Sequence, residues 1–66
     1  MSANNQIVID VKTFKVYEDI CVDNLFRRED APIIGIGEDL VEAIKIAQKF
    51  IKENIVEYGI RFIWIW

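Results

Sequence analysis

The chain has 66 residues, with eight basic and eleven acidic side chains, a formal net charge of −3 and no histidine. That length allows one small domain, 1–66, which buries only about 60% of the surface its unfolded form exposes. Without histidine, imidazole acid–base catalysis, serine triads and histidine metal sites are excluded within one chain, and the single cysteine, Cys21, can neither close an intramolecular disulfide nor build a thiolate zinc site.

The charge is unevenly spread. Residues 1–17 sum to +1, residues 18–42 to −6 and residues 43–66 to +2. The middle of the chain is therefore acidic, which disfavours nucleic acid and any anionic surface. Hydrophobic residues make up 53% of the sequence, enough apolar surface to offset ordering entropy and to argue against disorder. The first residues carry no basic, apolar leader. The longest apolar stretch, 55–66, contains Glu57 and Arg61 and falls short of the roughly 20 residues a membrane helix needs. The expectation is a cytoplasmic protein with neither a membrane nor a nucleic-acid partner.

Residues 1–5 are polar and read as a frayed end. From Gln6 the alternation is strand-like: Ile7, Ile9 and Val11 point one way, Val8, Asp10 and Lys12 the other. Beyond Thr13 the apolar parity moves to even positions, Phe14, Val16, Ile20 and Val22. A one-residue slip exchanges the two faces of a strand, so the shift implies a bulge or tight turn between Asp10 and Thr13. Glu18-Asp19 is a candidate second interruption, and one long bent strand and two short ones both satisfy the pattern. Arg27-Arg28-Glu29-Asp30-Ala31-Pro32 then reads as a loop, charged and closed by the only proline. Ile33-Ile34-Gly35-Ile36 reads as a short strand, expected to form a hairpin if it pairs with residues 20–26.

A helix follows. Asp39 is placed as its N-cap, with Glu42 three residues on, and Glu38, Asp39 and Glu42 suit the positive end of the helix dipole. At 100° per residue Leu40, Ala43, Ile44, Ile46, Ala47, Phe50, Ile51 and Ile55 share one half of the surface, and Glu42, Lys45, Gln48, Lys49, Lys52 and Glu53 the other. Gly59 is the expected terminator, giving a helix of about eighteen residues. The last segment, Ile60-Arg61-Phe62-Ile63-Trp64-Ile65-Trp66, has high strand propensity and is apolar on both sides. One helix covers one face of a small sheet, so the second face is expected to find cover in another copy of the chain.

Gly35-Ile36-Gly37 sits where a phosphate loop would, but the third glycine of the dinucleotide fingerprint is replaced by Leu40, and Glu38 and Asp39 oppose an anion. Asp19, Asp23, Glu29 and Asp30 match no calcium-loop spacing, and Cys21, between Ile20 and Val22, reads as a small hydrophobe. The lysine stripe beside Glu53 is a poor nucleic-acid footprint. Gly37-Glu38-Asp39-Leu40-Val41-Glu42-Ala43-Ile44, with Ala47 and Ile51, resembles the strand-to-helix junction of HicB-type antitoxin domains, which also place three strands before the helix. That likeness spans about fifteen residues of a capped amphipathic pattern; the upstream loop and the Trp-rich end depart from it, and it assigns no functional residue.

These readings converge on an α+β fold, a small antiparallel sheet in β-β-β-α-β order with one amphipathic helix on one face. No base, nucleophile and orienting group occur together, so the expected function is non-enzymatic and needs no cofactor or metal. The chain is expected to be a homodimeric or larger regulator or inhibitor that binds another protein. Asp23, Glu29 and Asp30 would meet that partner, with Arg27 and Arg28 as anchors. The aromatic strand, through Phe62, Trp64 and Trp66, is expected to be an oligomer interface or, in an alternative reading, the platform of a small-molecule binder. A further alternative is an antitoxin-like or anti-defence protein of a mobile element.

Overall fold

The alternation that starts near Gln6 does produce a strand, and the rest of the fold is arranged around it. In the computed structural model, which describes residues 5–20 and 31–64, β1 (Asn5–Asp10) is buried along its whole length. It includes Asn5, so the frayed end expected over residues 1–5 does not extend to that residue. The parity shift after Asp10 is a tight turn between two strands, β1 and β2 (Lys15–Ile20), which pair antiparallel with Ile9 opposite Val16 and Ile7 opposite Glu18. Glu18 and Asp19 lie inside β2 and interrupt nothing.

The turn contains no glycine. The buried Asp10 carboxylate builds it: Oδ1 accepts from the backbone N–H of Lys12 at 2.8 Å and of Thr13 at 3.3 Å, while the Asp10 carbonyl accepts from Phe14 N–H at 2.8 Å. Phe14 takes the left-handed conformation, φ 61°, which costs a non-glycine residue roughly 1–2 kcal/mol. It is held there from both sides, because its carbonyl accepts from Gly37 N–H at 2.9 Å and its ring packs on the main core.

β3 (Ile33–Ile36) pairs antiparallel with residues 15–17 of β2; of the partner segment expected at 20–26 only Ile20 is among the described residues, and it faces Asn5 of β1. Val16 faces Gly35 and Tyr17 faces Ile33, which leaves Ile34 as an extra residue in a bulge. The helix α1 (Leu40–Glu53) follows with the expected cap: Asp39 Oδ1 accepts from Glu42 N–H at 2.8 Å, and Glu42 Oε1 reaches back to Glu38 N–H at 3.1 Å. It has 14 residues and ends well before Gly59. Asn54 is extended, and both its backbone N–H and its side-chain amide donate to the Phe50 carbonyl, at 2.9 and 3.1 Å. Gly59 instead shapes the approach to β4 (Ile60–Ile63) with φ 73°.

β4 joins the sheet beside β1 and parallel to it, giving the order β3-β2-β1-β4. The sheet is therefore mixed where an antiparallel one was expected. The reason is topological. A strand that follows a helical crossover runs the same way as the strand before the helix; β3 already runs with β1, so β4 must too.

Ile7, Ile9, Val16, Ala43 and Ala47 are fully buried between sheet and helix, with Phe14, Ile34, Ile46, Phe50, Val56 and Ile60 closing the edges. The two alanines let the helix approach closely. On the opposite face Val8, Tyr17 and Ile63 form a second buried cluster, against which Ala31 packs. These three are covered within one chain, so the reason given for expecting a second copy over that face does not hold at their positions.

Candidate interaction surface

The end of α1 and the start of β4 are positioned by one side chain. Asn5 Oδ1 accepts from Glu57 N–H at 3.1 Å, and its amide donates to the Ile55 carbonyl at 2.9 Å and to Glu18 Oε2 at 3.1 Å. Its backbone carbonyl takes Tyr58 N–H at 3.0 Å. This cluster holds residues 55–58 in a non-helical, bent path, where a helical pattern would have continued. Gln6, on the other side of β1, donates to Asp19 Oδ2 at 2.9 Å.

One consequence is a border of apolar side chains facing solvent. Ile55 is 82% exposed, Tyr58 57%, Phe62 42% and Trp64 65%. Phe62 is opposite Ile9 and so lies on the helix-bearing side of the sheet. It is left open because α1 packs chiefly over β3, with Ile46 against Gly35. The uncovered apolar surface around Phe62 is thus on the same side as the helix, beside it, while on the opposite face Ile33 and Ile36, which face Tyr17 and Lys15, are exposed. A second set, Ile33, Ile36, Leu40 and Val41, is exposed along β3 and the first turn of α1.

The residues expected to matter fare differently. Phe62 and Trp64 are surface residues at this border. Asp23, Arg27, Arg28, Glu29 and Asp30 lie outside the described residues, as do Cys21 and Trp66. Ile55 was assigned to the buried helix face and is instead the most exposed large hydrophobic residue described, because Asn54 ends the helix one residue earlier. The local signal was present in Asn54, whose side chain competes with the helix for backbone partners. The decisive signal, Asn5, is some fifty positions away in the chain and has no local signature.

At the start of α1 the N–H groups of Glu38 and Glu42 are taken by the helix's own carboxylates, in keeping with the reading of Gly35-Ile36-Gly37 as a tight junction. A Cβ at Gly37 would stand 2.6 Å from Ala43 N and 2.9 Å from the Asp39 carbonyl oxygen. Among the described residues no group of three or more Asp, Glu or Cys is placed to hold a metal ion, and no helix is long and apolar enough to cross a membrane. No protein-family model, curated protein or solved structure matches the chain.

Proposed function

We propose that the chain is a non-enzymatic interaction module, a small acidic regulator or inhibitor that acts by binding another protein. The observation that carries this reading is the row Ile55, Tyr58, Phe62 and Trp64, large apolar side chains exposed along the β4 border of the sheet, beside the fully buried β1. Tryptophan and tyrosine in such a position offer wide contact area at low conformational cost and are enriched where proteins meet. The acidic stretch 18–42, net −6, adds a charge preference for a basic partner.

The test is a photo-crosslinking side chain in place of Trp64 in the full-length protein, irradiated in cells and read by mass spectrometry. A discrete protein adduct, lost when Phe62 is also changed to Asp, is the expected result. The same aromatic pair favours a second reading, a small-molecule binder with Phe62 and Trp64 as its platform. If irradiation gives no protein adduct while metabolites raise the melting temperature of the wild type and not of Trp64→Ala, the second reading replaces the first.

A further inference from the structure

We infer that the border strand β4 pairs with β4 of a second copy, antiparallel and centred on Phe62, joining the two sheets into one. This rests on the interaction-module reading and adds a second copy of the chain as a competing occupant of the same border.

Among the described residues the sheet has two edges, β3 and β4, and they differ. β3 carries three devices that blunt an edge: Pro32 just before it, a bulge at Ile34, and only four residues of length. β4 is equally short but has neither proline nor register shift. Its side chains toward solvent are aromatic and aliphatic, with Arg61 the single charge. The Gly59 and Ile63 carbonyls accept from the N–H groups of Ile7 and Val11, at 2.8 and 3.1 Å. Backbone groups alternate sides along a strand, so those of Ile60 and Phe62 point outward, away from β1.

Symmetry and charge select the register. In a two-fold antiparallel pair, facing residues share a side of the sheet. A pair centred on Arg61 would set two guanidiniums directly opposite, which is destabilising. A pair centred on Phe62 sets Phe62 against the partner's Phe62, Ile60 against the partner's Trp64, and Arg61 against the partner's Ile63. Outward backbone groups then meet outward backbone groups, and the arginines sit on diagonals.

The area bounds the strength. Tyr58, Phe62 and Trp64 each leave about half of some 150–250 Å² exposed, roughly 300 Å² together, against about 800 Å² per partner in a standard interface. The dimer should therefore be weak and should dissociate on dilution through the micromolar range.

The experiment is sedimentation velocity on the full chain from several hundred to a few micromolar, for wild type and Phe62→Lys, with urea midpoints as a check of folding. Wild type should shift from dimer toward monomer on dilution, and Phe62→Lys, which places two ammonium groups on the symmetry axis, should weaken association by roughly tenfold or more. In a Cys21→Ser background, Phe62→Cys should form a disulfide-linked dimer on mild oxidation and Ile33→Cys on β3 should not. The Phe62→Cys arm also decides the matter if Phe62→Lys fails to fold. A wild type that is monomeric throughout, or a crosslink at position 33 in place of 62, overturns the proposal. If the protein is monomeric yet the probe at Trp64 still labels another protein, self-pairing is wrong and the interaction reading stands; loss of both removes both.

Discussion

Single residues decide how closely the elements approach. Gly37 is needed for space and not for an unusual backbone angle: a methyl group there would press on Ala43 N and the Asp39 carbonyl, backbone atoms that cannot swing aside. Gly37→Ala should cost about 1–3 kcal/mol in a urea titration. At Gly35 the nearest atom is Ile46 Cγ2, 3.1 Å from the position a Cβ would take, and a side chain can change rotamer, so Gly35→Ala should cost clearly less. Asn5 is the other indispensable small group. Its amide and carbonyl oxygen together satisfy Ile55, Glu57 and Glu18. Asn5→Ala should lose about 2 kcal/mol, and hydrogen exchange at the Glu57 amide should accelerate beyond what the global loss explains. If Glu57 keeps its protection, the bridge is not what holds the connection.

At the scale of elements, the capped start of α1 is the best test of local chemistry. Asp39→Ala removes the acceptor of Glu42 N–H and should cost about 1 kcal/mol, whereas Asp39→Asn or Ser should recover most of it; thermal unfolding monitored by circular dichroism distinguishes them. The elements legible in the sequence are those whose causes are local. The shift of apolar parity between Ile9 and Phe14 marks the turn, and the Asp39–Glu42 spacing marks the helix start. The end of the helix was not legible, because Asn54 and the distant Asn5 override an apolar period that runs on through Ile55. The partner of β3 lies upstream of the expected segment, at residues 15–17, because a loop-like composition at 27–32 does not say how far back along the chain the facing strand begins. Of the candidate site, two of the three aromatic positions are placed at the surface as residues that could meet a partner, while the charged loop lies outside the described residues.

For the molecule as a whole, the two-sided apolar strand bears on how the two faces of the sheet are covered. Apolar residues on both faces of a last strand show that both faces need cover; they do not show where the cover comes from. Here the helix side stays partly open at Phe62, and the far side is closed around Val8, Tyr17 and Ile63 but open at Ile33 and Ile36. This makes a prediction that separates intrachain from interchain burial. Val8 is fully buried in a single copy, so Val8→Ala should destabilise by about 2 kcal/mol through lost transfer free energy and a residual cavity. That loss, measured as the difference from wild type, should be the same at low and high protein concentration. Were the far face covered by a second subunit, Val8→Ala would weaken association, and its cost would grow as the concentration rises and wild-type association adds its stabilisation. A parallel series for Phe62→Lys should behave in the opposite way, with a constant cost when dilute, set by the part of the ring that one copy buries, and a growing difference from wild type when concentrated. Finding the two series exchanged would move the interface from the border of the sheet to its far face.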